Sequence, residues 1–352
     1  MNLLENPIYR ADLEKVSKQF SNIAALCNSK ILVTGATGLI GSALVDLLLE
    51  LNKKEELNLQ LIIASRNIDK AKNRFGENNT YLIYDAQNAN DFSGISADYV
   101  ICAAGNASPE LYTQKPVETI NTTVNGVNEL LFYSVKNRVK RFLFVSSSEV
   151  YGKKEHDGPF KEDEYGYIDV LNSRSSYSMS KRMAETYCRS FADEYGLDCV
   201  IVRPGHVFGP TASESDNRIS SSFAYKAARG EELIMKSSGM QKRSYCYCLD
   251  CAAEILYVML YGKSGEAYNI GHDEVTTIKG MAQMLADAGE VSLISQEPSK
   301  EELQSFNPMD NSSLDNTKVK DLGYRDTFTV EEGLKHTVQI LEGKNYTPFN
   351  PK

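Results

Sequence analysis

One segment constrains this chain more than any other. The apolar run 31–33 leads into Gly35-Ala36-Thr37-Gly38-Leu39-Ile40-Gly41, which opens the helical spacing of residues 39–51. A strand, a glycine-rich turn and a helix in that order form the first half of a βαβ unit. The three glycines serve different ends. Gly35 makes the tight turn, Gly38 admits a pyrophosphate to the backbone, and Gly41 lets helix and strand pack closely. The helix start then offers unpaired N–H groups and a positive dipole end to phosphate. The segment therefore predicts a dinucleotide site.

The following residues keep the same rhythm. Apolar runs at 59–64, 81–84, 99–103, 142–145 and 199–203 read as strands. Helical spacing covers 68–75, 117–135 and 177–195. Strands separated by helices imply crossover connections and a parallel sheet covered on both faces. The expected class is α/β, a doubly wound parallel sheet (Rossmann fold) with a smaller C-terminal lobe. Residues 1–28 read as an N-terminal extension whose apolar positions suggest a helix over 11–28, serving packing or oligomerisation. Residues 29–204 form the dinucleotide-binding domain. Residues 205–352 form mainly the lobe, with some segments returning to the core. Short helices are expected at 223–228, 251–260 and 281–288, and a loop at 298–315.

Composition narrows the function. The formal net charge is −9 and no basic block stands out, so no nucleic-acid partner is expected. No apolar stretch approaches the roughly 20 residues of a membrane span, and Met1 to Arg10 lack a signal-peptide pattern. Seven scattered cysteines suit free thiols in a reducing compartment, so the cytoplasm is the expected location. Cys246-x-Cys248-x-x-Cys251 is read as two thiols on one strand face plus a third, and no metal is expected there. The four histidines (His156, His206, His272 and His336) stand apart in sequence, and no Ser-His-Asp hydrolase arrangement is indicated.

The acidic residue expected after the second strand, on the ribose 2′-hydroxyl, is absent; the strand ends Ala64-Ser65-Arg66-Asn67. Arg66 suits a 2′-phosphate, or it is a solvated side chain while Asn67 caps the next helix. The cofactor is thus NAD or NADP. Asp85, after the third strand, either meets an adenine amino group or holds a surface turn. Further on, Tyr177-Ser178-Met179-Ser180-Lys181 puts a phenol and an ammonium four residues apart on one helix face. Such an ammonium favours the phenolate and lowers its pKa from about 10, making Tyr177 a usable general base. The preceding run Ser146-Ser147-Ser148-Glu149 ends a strand, where such sheets face their ligand crevice.

Together these elements resemble the extended short-chain dehydrogenase/reductase family acting on nucleotide-sugars, the NAD-dependent epimerase/dehydratases. The matching residues are the glycine loop, Ser146-Ser147-Ser148-Glu149-Val150-Tyr151-Gly152, Tyr177 with Lys181, and Arg203-Pro204-Gly205-x-x-Phe208-Gly209-Pro210. Arg243-Ser244-Tyr245 through Asp250 and Tyr268-Asn269-Ile270-Gly271 complete the set. The resemblance implies that Ser147 hydrogen-bonds the sugar C4 oxygen, Tyr177 removes its proton, and Lys181 tunes Tyr177 and holds the nicotinamide ribose. It also implies cofactor contacts from Gly35, Thr37, Gly38, Leu39, Ile40, Gly41, Ala103 and Ala104. Implied substrate contacts come from Ser108, Ser148, His206, Arg243 and Tyr245, with Arg243 on the diphosphate or a sugar acid. His206 stands where the family usually carries Asn, and reads as a binding residue.

Glu149 separates the chain from simple epimerases, which usually carry a small residue there. A carboxylate at that position suits chemistry at C5. Ser148 replaces the acid of the dTDP-glucose type dehydratases, whereas Ser-Glu resembles UDP-glucuronate decarboxylases, as does Ala107-Ser108-Pro109 with Tyr112, Pro116 and Asn121. The implied chemistry is redox-neutral, through a transient 4-keto sugar. It is either decarboxylation or 4,6-dehydration, with 4-epimerisation as an alternative. An NADPH-dependent keto-sugar reductase and a non-catalytic binding protein of this fold are the remaining readings. The resemblance further implies a homodimer joined by helices 117–135 and 177–195, with Leu131, Val135, Met183 and Phe191 on the free faces.

Overall fold

The computed structural model describes residues 3–20, 23–105, 107–155, 157–297 and 309–345. His156 and the 298–308 part of the expected loop lie outside them. Strands β1 (Lys30–Thr34), β2 (Gln60–Ser65), β3 (Thr80–Ile83), β4 (Tyr99–Cys102), β5 (Arg141–Val145) and β6 (Cys199–Pro204) follow one another in the chain. The lobe adds β7 (His206–Phe208), β8 (Leu233–Met235), β9 (Lys242–Tyr247), β10 (Ala267–Ile270), β11 (Val275–Thr277), β12 (Leu293–Ser295) and β13 (Asn311–Ser312). Seven of these form one sheet in the order β10-β6-β5-β4-β1-β2-β3, every pair parallel. The chain reverses its winding between β1 and β4, which opens a crevice at the C-terminal strand ends. A lobe strand thus returns to the main sheet as its edge, β10 beside β6.

Residue alternation feeds two separate cores. Ile31, Val33, Ile63, Ile101, Leu143 and Val145 enter one, while Leu32, Ile62, Val100, Phe142 and Phe144 enter the other. This is why the strands read as unbroken apolar runs: both faces are covered. On the first face lie α1 (Pro7–Ser17) and α2 (Leu39–Lys54), together with the apolar helix Cys248–Tyr261. Leu44, Leu47, Leu48 and Leu51 of α2 are fully buried there, each contributing about 1.5–3 kcal/mol. The second face is covered by two long helices packed on each other, Pro116–Lys136 and Ser176–Tyr195.

Three expectations are corrected. The N-terminal helix runs Pro7–Ser17 rather than over 11–28. Its start is fixed by Pro7 in the first turn and by Asn6, whose side chain accepts from Ile8 N (3.0 Å) and Tyr9 N (3.2 Å). It is a packing element: buried Tyr9 donates to Asp46 (2.7 Å), and Tyr247 donates to Asp12 (2.9 Å). Cys246 and Cys248 do not share a strand face, because β9 ends at Tyr247 and Cys248 begins a helix. On the paired long helices, Leu131 and Phe191 are buried and Val135 packs against the same core. Of the four expected residues Met183 does lie on a free face, 50 % exposed, together with Val117, Ile120 and Phe132 (50 % exposed). Among the described residues, no helix is long and apolar enough to cross a membrane.

Candidate active site

The glycine loop lies between β1 and α2 at the crevice. Gly35 has φ +67°, and a Cβ there would stand 2.5 Å from the Ala103 carbonyl oxygen. A Cβ on Gly41 would fall on the Gly35 carbonyl. Only glycine fits either place. Gly38 caps α2 without a side-chain hydrogen bond, so the first-turn N–H groups have no side-chain partner there and suit a pyrophosphate. Beside the loop is a cavity of about 420 Å³ lined by Gly35, Thr37, Gly38, Arg66, Asp85, Ala103 and Ala104. These features fit a dinucleotide. Asn67 does cap the next helix, accepting from Lys70 N (2.8 Å), and exposed Arg66 lines the cavity beside it. Asp85 also lines the cavity, while its carboxylate holds a turn by accepting from Gln87 N (3.1 Å) and Asn88 Nδ2 (2.7 Å). Leu39 and Gly41 line neither cavity: Leu39 turns into the core, and Gly41 serves the packing of α2 on the loop.

A second cavity, of about 330 Å³, adjoins the first through Ala103 and Gly105. Ser147, Ser148 and Glu149 enter it from the end of β5, and Tyr177 and Lys181 from the helix Ser176–Tyr195. His206 and Tyr245 enter from the paired strands β7 and β9, with Arg243 two residues before Tyr245 on the same face. Ile40 closes the cofactor side. Ser108 is not a lining residue; it donates to Asn217 Oδ1 (3.1 Å), which is.

Electrostatics distinguish these groups. Burial lifts the Tyr177 phenol to about 12, against which a hydrogen bond with Ser147 and the charge of Arg218 pull it down. Lys181 is lowered to about 8 by burial, and its ammonium donates to the Val145 carbonyl (2.7 Å). Lys181 Nζ sits 5.9 Å from the centroid of the Tyr177 ring. Burial raises the Glu149 carboxyl above its ordinary value, with Arg174 and Arg243 opposing. His206 drops to about 3 through burial and the neighbouring Arg243 and Arg218, so it is a neutral imidazole, bonded to Ser312 Oγ (3.0 Å).

Three lining residues carried no assigned role from sequence. Tyr112 stacks on Tyr177, with ring centroids 5.1 Å apart and planes at 17°. Arg174 and Arg218 reach the cavity from irregular segments, where no periodicity marks them. Behind the site, buried Arg203 donates to both oxygens of Glu185 (3.0 and 2.7 Å) and to Tyr151 Oη (3.0 Å), and Glu185 accepts from Ser146 Oγ (2.5 Å). Tyr151 in turn donates to Asn269 (2.5 Å). The network fixes the Ser146–Gly152 run against the sheet.

A doubly wound sheet whose glycine cradle opens onto Ser147, Tyr177 and Lys181 defines an enzyme of the short-chain dehydrogenase/reductase class. The chain belongs to the NAD dependent epimerase/dehydratase family, whose model matches residues 31–271. It is 33 % identical over 261 residues to UDP-glucuronic acid decarboxylase 6 of Arabidopsis thaliana, covering 74 % of each chain. It is 28 % identical to UDP-N-acetyl-alpha-D-glucosaminuronate decarboxylase of Bacillus cytotoxicus, covering 88 % of this chain and 97 % of that one. Among solved structures, UDP-glucose 4-epimerase of Thermotoga maritima with UDP-glucose superposes with a TM-score of 0.77. That match is 27 % identical and covers 90 % of this chain and all of the epimerase.

Proposed function

We propose that this chain decarboxylates a nucleoside-diphosphate-linked uronic acid through a transient 4-keto sugar. The observation that carries the reading is Glu149 in the same cavity as Ser147 and Tyr177. Ser147 and Tyr177 hold the C4 hydroxyl between them, and Tyr177 Oη takes its proton. When bound in the glycine cradle, the dinucleotide supplies reversible hydride acceptance at C4. A C4 ketone next to a C6 carboxylate makes a β-keto acid, whose carbon dioxide leaves with the ketone as electron sink. Glu149, its carboxyl pK raised by burial, supplies the proton that C5 then needs. Lys181 orients the cofactor ribose beside Tyr177, and Arg243 meets the diphosphate. Ser148 offers no acid for a leaving hydroxyl, which disfavours 4,6-dehydration. The relatives named as uronate decarboxylases support the same reading. The exposed apolar face of the long helix pair, with Val117, Phe132 and Met183, supports a homodimer.

The test is a panel of UDP- and dTDP-linked hexoses and uronic acids, each run with NAD and with NADP, the products weighed by mass spectrometry. The proposal expects loss of one carbon dioxide from a uronate and no net cofactor consumption. Loss of water from a hexose, an isomer of unchanged mass, or stoichiometric NADPH use each contradicts it. Arg66 in the cofactor cavity makes NADP the cofactor to compare.

A further inference from the structure

Three guanidinium groups line the substrate cavity: Arg174, Arg218 and Arg243. Their surroundings differ. Arg218 is tied to the carboxylate of Asp216, with Nε 3.0 Å from each oxygen. Arg243 donates to its neighbour's carbonyl, Lys242 O (2.8 Å), on the wall shared with His206 and Tyr245. Arg174 comes from a different element, the short turn Ser173–Ser175 just before the helix that carries Tyr177. That turn is braced at both ends: Asn172 Oδ1 accepts from Arg174 N (3.0 Å), and Ser175 Oγ donates to Asp169 O (2.7 Å).

The Arg174 guanidinium lies 5.5 Å from the centroid of the Tyr112 ring, and that ring is stacked on Tyr177. The fork is thereby held at the reacting end of the cavity. Its nearest acid is Glu149, with Nη1 3.8 Å from Oε2. That is ion-pair range but longer than a hydrogen bond, so the fork has not closed on Glu149 and its five donors are not consumed there. Glu149 must share the sugar end with whatever the substrate presents. A second carboxylate would repel it, and a guanidinium between the two removes that repulsion. A neutral hydroxymethyl group has no need of such a charge.

We infer that Arg174 is the specificity-determining residue that binds the C6 carboxylate of a nucleotide-linked uronic acid. The inference rests on the uronate reading proposed above. It explains how Glu149 and a substrate carboxylate occupy one cavity, and it separates uronates from neutral hexoses by a single fork.

The experiment measures dissociation constants by calorimetry on the NAD-loaded full chain, in a Tyr177→Phe parent that prevents turnover. The probes are UDP-glucuronate, UDP-glucose and UDP. The parent is expected to prefer UDP-glucuronate over UDP-glucose. Arg174→Gln should weaken UDP-glucuronate roughly 10- to 100-fold, the usual worth of a charge-assisted pair, and leave UDP-glucose and UDP unchanged. Arg174→Lys, which keeps the charge but loses the fork, should fall between. Retained preference in Arg174→Gln overturns the assignment of Arg174 alone. Equal weakening of all three probes, including UDP, also overturns it, because the residue would then be structural. A parent without preference for the uronate overturns the uronate reading itself and Arg174's role with it.

Discussion

At the residue scale, Tyr177 shows what the fold costs and what the chemistry needs. Burial lifts its phenol to about 12, and each unit between that value and neutrality is about 1.4 kcal/mol. The value of about 12 already includes the lowering by Ser147 and Arg218. In the proposed mechanism the base is the deprotonated phenol, so kcat/KM should rise with pH from the acid side. Lys181, lowered to about 8, loses its ammonium above that pH, and the rise should break there. Tyr177→Phe should lower kcat/KM roughly 10²–10⁴-fold and abolish the rise, while UDP binding stays unchanged. A pH–rate profile of both proteins checks this; a variant with the parental profile would assign the base elsewhere. The Tyr177–Lys181 spacing was legible because one helix places both. Arg174 was not, because its position depends on a turn braced by Asn172 and on a ring, Tyr112, from another element.

At the element scale, legibility followed local signals. The glycine loop was readable because its turn, its helix start and its close packing each demand a residue type on the spot. The start of α1 was missed although Asn6-Pro7 announces it; apolar spacing further along drew the helix too far toward the C-terminus. The long helix pair shows a different limit. Leu131 and Phe191 are apolar and lie on amphipathic helices, but which stripe faces the sheet and which faces the neighbouring helix is decided by tertiary packing. The exposed remainder includes Val117 (64 %), Phe132 (50 %) and Met183 (50 %), with Phe132 edge-on to Phe191 at 4.9 Å. Light scattering should therefore give a dimer mass, and Phe132→Glu should shift it to the monomer with secondary structure intact by circular dichroism. A wild-type monomer at micromolar concentration would remove the helix pair as an interface.

At the scale of the whole molecule, the chemistry sits on a seam. The cavity beside the glycine loop belongs to the doubly wound sheet, and the cavity that holds Glu149 and Tyr177 is completed by β7 and β9 of the lobe. Arg203, Glu185, Tyr151 and Asn269 bind β6, the Tyr177 helix, the Ser146–Gly152 run and β10 into one unit. In sequence these were separate matches; that they meet is a tertiary fact, since Tyr151 and Asn269 are far apart along the chain. The central claim is that this seam performs a redox-neutral decarboxylation in which Glu149 exchanges a proton with the sugar. The most direct measurement is the absorbance of reduced nicotinamide during a single turnover of Glu149→Gln with UDP-glucuronate. Glutamine keeps the size and the hydrogen bonding but cannot act as a proton-exchanging acid or base. The account predicts that reduced nicotinamide accumulates and persists, the reaction stalled after oxidation at C4, whereas the wild type returns to the oxidised state. Wild-type turnover by Glu149→Gln, with no build-up of the reduced form, would contradict it.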